Sequence, residues 1–83
     1  MDIAHTSAAE RIARVIAGHR LSANADGASA SAGGAVDGAW RDHLGEAVAI
    51  LHTLREPDAA MAKAGDAAVW ERMVRVAIER AAG

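Results

Sequence analysis

His43 and Glu46 are the pair of residues in this sequence best suited to metal binding or acid–base chemistry. They are three residues apart, so on a helix their side chains lie on one face. A metal site needs three or four ligands, however. His52 lies nine residues beyond His43, on the opposite side of the same predicted helix. We therefore predict a solvated polar face here and no metal site.

A nucleophile with its activating base is the other chemistry to look for. Thr53 follows His52 directly, but adjacent helical residues point about 100° apart and cannot form the hydrogen-bonded pair that activates a hydroxyl. Gly33 and Gly34 lack the lysine and the preceding strand of a phosphate-binding loop. We predict that the protein is not an enzyme and binds no cofactor. Most other hydroxyl groups fall in a helix cap or a low-complexity segment: Thr6, Ser7, Ser22, Ser29 and Ser31.

The charge distribution bears on nucleic-acid binding. Eight Arg and one Lys are scattered among eleven acidic residues, for a net charge of −2, so no basic field gathers phosphates. An alternative function is a small nucleic-acid-binding regulator, with a short helix at residues 57–64 and an Arg-bearing last helix as a helix-turn-helix. Glu71 and Glu79, interleaved with those arginines, argue against it. We expect no nucleic-acid partner.

The residues before position 22 predict one short helix. Ser7 and Glu10 have the spacing of a capping box, in which each side chain satisfies a free backbone amide of the first turn. Ile12, Val15 and Ile16 form a narrow apolar face. Gly18 is a plausible end, so we predict that residues 1–21 hold a short, semi-independent helix.

Residues 22–36 consist almost entirely of Ala, Ser, Gly, Asn and Asp. Such a composition buries too little apolar surface to offset the entropy of ordering the chain. The sequence therefore predicts a flexible linker, mobile over residues 22–34.

Residues 37–83 hold the strongest helical periodicity, and we predict that they form the core. One helix runs from Asp37 to Arg55, a second from Pro57 to a stop at Gly65, and a third follows a cap at Asp66. Apolar residues at helical spacing are expected to face inward: Trp40, Leu44, Ala47, Val48, Ile50, Leu51 and Leu54 on the first helix, and Val69, Trp70, Met73, Val74, Ala77 and Ile78 on the last.

No segment shows the alternation of a half-buried strand or repeats at a fixed period. The fold class is thus predicted to be all-α, a small bundle of three to four helices whose body is the helices at 37–55 and 66–83. Trp40 and Trp70 lie on the apolar faces of these two helices. They either pack on one another in the core or anchor an interface.

The apolar side chains are few for a chain of 83 residues. Of 43 hydrophobic residues 23 are Ala, and neither Phe nor Tyr occurs. Without disulfides or a metal, a domain of this size usually needs a partner to stabilise it. We predict that a homodimer completes the bundle, a four-helix arrangement with two-fold symmetry. The candidate interface residues are Trp40, Leu44, Leu51, Trp70 and Met73.

The absence of Cys fits a reducing compartment. The first residues lack the basic start and apolar run of a signal peptide, and no segment is apolar enough to cross a membrane. We expect a cytoplasmic protein without membrane contact.

Part of the second half resembles a known group of proteins. The stretch LHTLREPDAAM from Leu51 to Met61, then Ala64-Gly65 and the VWERM segment from Val69 to Met73, are similar to small uncharacterised helical proteins of alphaproteobacteria and their phages. The resemblance implies a bacterial or phage origin and no particular activity.

Together these observations favour a small helical protein-interaction or structural module, which acts by self-association or by binding a protein partner. A mobile-element origin would make a host-directed inhibitor one form of such a module.

Overall fold

The computed structural model describes residues 3–24 and 32–82, which contain five α-helices and no strand. The predicted all-α fold is therefore confirmed. The helices are α1 (Ala8–Asn24), α2 (Ala32–Ala39), α3 (Leu44–Leu54), α4 (Ala59–Ala64) and α5 (Ala67–Ala82), with a 3₁₀ turn at Trp40–His43 between α2 and α3.

Three helix starts or ends follow the predicted capping chemistry, although only the Ser7 half of the capping box forms and Glu10 pairs with Arg14 instead. Ser7 Oγ accepts a hydrogen bond from the Glu10 amide at 3.1 Å and starts α1. Asp66 accepts from the amides of Ala68 and Val69 at 2.9 and 3.3 Å and starts α5. Gly65 ends α4 as predicted. These contacts are local, so sequence alone can specify them.

The start of α4 differs by two residues from the prediction. Asp58 is the N-cap and accepts from the Met61 amide at 2.9 Å, so Pro57 precedes the helix. The predicted helix from Asp37 to Arg55 is also divided. Its first residues end α2, a 3₁₀ turn follows, and α3 begins only at Leu44.

The predicted end of the first helix at Gly18 is wrong, since α1 continues to Asn24. A terminating glycine adopts left-handed backbone geometry, and Gly18 does not. Instead it brings α1 close to α2, because a Cβ added there would lie 3.6 Å from Cγ2 of Val36.

The linker at 22–36 needs the same correction. Residues 22–24 belong to α1 and residues 32–36 to α2. Helix α2 packs on α1, and this packing stabilises it although it has few large apolar residues. The rest of the predicted mobile segment, residues 25–31, lies outside the described residues.

The sequence predicted a semi-independent first helix, and this prediction is wrong. It packs against α2, the 3₁₀ turn, α3 and α5, and its buried face is formed by Ala9, Ala13 and Ala17, each without exposed surface. Val15, predicted to face inward, is 71% exposed. Alanine at every fourth position forms a smooth ridge that lets helices approach closely.

The core lies where α1, α3 and α5 meet. Ala9, Leu51 and Val74 form its buried centre, so the body includes α1 as well as the two helices predicted. Half-buried residues surround this centre: Ala8, Ile12, Leu44, Trp70, Ala77, Ile78 and Ala81. Among the described residues the buried apolar side chains are four Ala, one Leu and one Val, which matches the small core predicted from composition.

The radius of gyration is 14.9 Å, against about 12 Å for a compact domain of this length. The helices thus pack less closely around one centre than those of a typical domain. Several large apolar residues predicted to face inward are exposed: Ile50, Leu54, Val69 and Met73.

Candidate protein-interaction surface

His43 and Glu46 lie together, as their spacing predicted. The third side chain beside them is an arginine, which is not a metal ligand. His43 Nδ1 is 3.2 Å from Glu46 Oε1, and Arg20 Nη2 donates to Glu46 Oε2 at 2.6 Å. The hydrogen bond with His43, aided by the positive charge of Arg20, lowers the pKa of the Glu46 carboxyl. The ion pair between Arg20 and Glu46 lies at the surface and links α1 to α3. In the described ranges no three His, Asp or Glu side chains form a metal-binding group.

Thr53 donates its hydroxyl hydrogen bond to the carbonyl of Ala49, one turn back, at 3.2 Å. Such a bond within one helix is ordinary for threonine. The hydroxyl is therefore engaged with the backbone of α3 rather than with His52.

Two arginines of the same chain pack against the ring of Trp40. The guanidinium carbons of Arg14 and Arg41 lie 5.3 and 4.5 Å from its ring centroid, within the range of cation–π attraction. Arg14 also bonds Asp37 at 2.5 Å and Glu10 at 2.8 Å, and these carboxylates raise its pKa. Trp40 thus fastens the 3₁₀ turn to α1.

Trp70 lies in a different environment. It packs half-buried against the core centre, and its Nε1 donates to the carbonyl of Leu54 at 2.7 Å. Leu54 is the last residue of α3, where carbonyl groups lack helical partners. The indole satisfies one of them and so joins the start of α5 to the end of α3.

Replacing Trp70 by Phe is expected to lower the free energy of unfolding by about 1 kcal/mol, the net contribution of one such hydrogen bond. Phenyl is smaller than indole, so some packing is lost in addition to the hydrogen bond, and a second Trp→Phe variant corrects for that part. Urea denaturation followed by circular dichroism measures the loss. Trp40→Phe, which removes no indole bond to the backbone, is the matched comparison, and an unchanged midpoint for Trp70→Phe would contradict the bond's role.

An apolar groove of about 390 Å³ lies between α4 and α5. Trp70 forms part of its wall, next to the two methionines Met61 and Met73. Methionine side chains adapt to varied apolar partners, so this groove suits a protein ligand. The remaining lining residues are Pro57, Ala64, Gly65, Asp66, Ala67 and Val69.

Helix α5 carries two apolar stripes. One faces the core and includes Trp70, Val74 and Ile78. The other consists of Val69, Met73 and Val76, which are 39%, 65% and 53% exposed. We call these three residues the outer stripe; Val69 and Met73 also line the groove. Exposed apolar residues on one continuous helix face are typical of interaction sites.

The five interface candidates from the sequence are separated by the fold. Leu51 is 5% exposed and belongs to the core centre, while Leu44 packs against that centre. Trp40 is held by its two arginines. Only Trp70 and Met73 reach the groove. Met61, Val69 and Val76 were missed as surface residues, although the spacing of Val69, Met73 and Val76 could have revealed a second stripe.

The arginines of the alternative nucleic-acid hypothesis lie on α5 among acidic residues. Arg75 is paired with Glu71 on the same helix, and α4, the proposed first helix of the motif, has six residues. This arrangement presents alternating charges rather than a basic face.

Fold and surface together define a small all-α protein with an uncovered apolar helix face. The chain matches no protein-family model, and neither a curated protein nor a solved structure is significantly similar to it. Within the described residues, no helix has the length and apolar character needed to cross a membrane.

Proposed function

We propose that this protein is a non-enzymatic interaction module that binds an apolar α-helix of a protein chain along α5. The outer stripe of Val69, Met73 and Val76 carries this proposal. It repeats at helical spacing and is exposed, although the residues of the core-facing stripe are at least partly covered.

The shape of the surface favours a helix as ligand. The outer stripe offers side chains one turn apart, which interlock with the side chains of a second helix. The groove beside it supplies Met61 and the edge of Trp70 as further apolar contacts. Aromatic and methionine side chains are enriched at protein interfaces.

The charges around the surface fit a protein ligand better than a nucleic acid. Arg72, Arg75 and Arg80 alternate with Glu71 and Glu79 along α5. Mixed charges at the rim of an apolar patch set orientation and specificity between proteins.

A fluorescein-labelled amphipathic helical peptide of unrelated sequence, with Leu at heptad spacing on one face and balanced Lys and Glu elsewhere, is a suitable probe of helix binding. Titrating the full chain into this peptide should raise its fluorescence anisotropy in a saturable way. Met73→Glu in the full chain should weaken binding at least about tenfold, because it places a charge in the apolar contact.

The matched control is Ala68→Glu, which adds the same charge at an exposed position of α5 away from the outer stripe. It should bind the peptide as the parent chain does. Equal binding by Met73→Glu and Ala68→Glu, or no anisotropy change with about 100 μM protein, would contradict the proposal.

A further inference from the structure

The outer stripe has the spacing of a two-helix interface. Val69, Met73, Val76 and Arg80 are separated by four, three and four residues, which is the heptad spacing that lines up along one seam between packed helices. The aliphatic part of Arg80 extends the stripe by one turn, since such stems pack on apolar surface while the charge stays in water.

The two flanks of this stripe differ in character. On one side lie Trp70 and Ala77, which are half-buried and packed toward the core. On the other side lie Arg72 and Glu79, both exposed. They are seven residues apart, so they occupy equivalent positions two turns from one another.

Among the described residues, neither Arg72 nor Glu79 forms an ion pair. The ion pairs of the described residues include Arg75 with Glu71 on the same helix but neither Arg72 nor Glu79. An exposed cation and an exposed anion thus flank the same apolar stripe.

We propose that the helix bound along α5 is α5 of a second copy, packed antiparallel about a two-fold axis. This inference rests on the proposed function and names its ligand. Such pairing places Met73 opposite Val76 of the second copy, and Val69 opposite the stem of Arg80. Each contact occurs twice, as a two-fold interface requires.

Charge complementarity favours the antiparallel direction. A two-fold axis across antiparallel helices brings identical flanks together, so Arg72 of one copy lies beside Glu79 of the other. With Met73 opposite Val76, the two residues are offset by two positions, about 3 Å along the axis, which both side chains can span. Parallel pairing would instead place Arg72 beside the uncharged flank of Trp70 and Ala77.

The small core also favours a partner that covers the outer stripe. The buried centre contains only one side chain larger than Val, and the core leaves the outer stripe uncovered. In the proposed pair, the outer stripe of each copy covers the outer stripe of the other.

The test is sedimentation equilibrium of the full chain with three charge variants. Arg72→Glu and Glu79→Arg should each raise the dimer dissociation constant about tenfold, because each creates two like-charge contacts. The double variant R72E/E79R restores opposite charges across the axis, so its dissociation constant should return to within about threefold of the parent. Arg75→Glu, on the same helix but farther from the seam, should dimerise as the parent does.

A double variant as weak as the single ones would overturn the antiparallel arrangement. A parent chain that stays monomeric up to about 200 μM would overturn the dimer. The labelled-peptide titration separates that result from failure of the proposed function. A monomeric chain that still binds the peptide through Met73 has the interaction surface but a different natural partner.

Discussion

Leu51→Ala is expected to lower the free energy of unfolding by about 2–5 kcal/mol, the range for truncating a large buried aliphatic residue. Leu51 is 5% exposed and is the largest side chain in the buried centre, where α1, α3 and α5 meet. Truncation leaves a cavity that Ala9 and Val74 are too small to fill.

The loss is large relative to the total. Small domains are stabilised by about 5–15 kcal/mol, and Leu51 is the one buried side chain larger than Val among the described residues. We therefore expect Leu51→Ala to be partly unfolded at 37 °C. Urea denaturation monitored by helical circular dichroism, at one fixed protein concentration, measures the change.

Ile50→Ala is the matched control for this variant. Ile50 precedes Leu51 on α3 but is 40% exposed, so its truncation should cost less than about 1 kcal/mol. Equal losses for the two variants would show that the packing centre is not at Leu51.

The second large effect is expected from Ala13→Leu. Ala13 has no exposed surface and lies between Ala9 and Ala17 on the buried ridge of α1. An added isobutyl group has no space unless α1 moves away from the helices packed against it. Overpacking of this kind costs about 1–3 kcal/mol or more, although leucine is a good helix former.

Ala49→Leu provides the comparison, because Ala49 is an exposed residue within α3. The same chemical change there should alter stability by about 0.5 kcal/mol or less. A rise in melting temperature for Ala13→Leu would show that the helices around α1 are not in close contact at this position.

Local signals explain which elements the sequence predicts well. The caps at Ser7 and Asp66 and the stop at Gly65 depend on residues within one turn. A side chain that can bond a nearby amide does so wherever the helix packs. The starts of α1 and α5 and the end of α4 are therefore readable without knowledge of the fold.

Alanine explains the error on α1. It favours helix strongly but carries too little apolar surface to mark a buried face, so Ile12, Val15 and Ile16 dominated the pattern. In the fold the close helix contacts are made by Ala9, Ala13 and Ala17, which are spaced four residues apart. Which face of α1 is buried depends on the space its neighbours leave, and that is a tertiary property.

The candidate surface was predictable in part for the same reason. Periodicity placed Trp70 and Met73 on apolar faces, but it cannot tell a core-facing stripe from an uncovered one on the same helix. Leu51 and Met73 follow the same pattern in sequence, yet one is buried in the core and the other is 65% exposed.

The sequence by itself determined the helical class, the capped helix ends and the small core. These follow from composition and from contacts within a turn. Only the tertiary structure decided that α1 packs at the centre, that Trp40 is held by arginines, and that Val69, Met73 and Val76 are exposed. Those outcomes depend on which helices contact one another, and these contacts are set by packing between residues far apart in the chain.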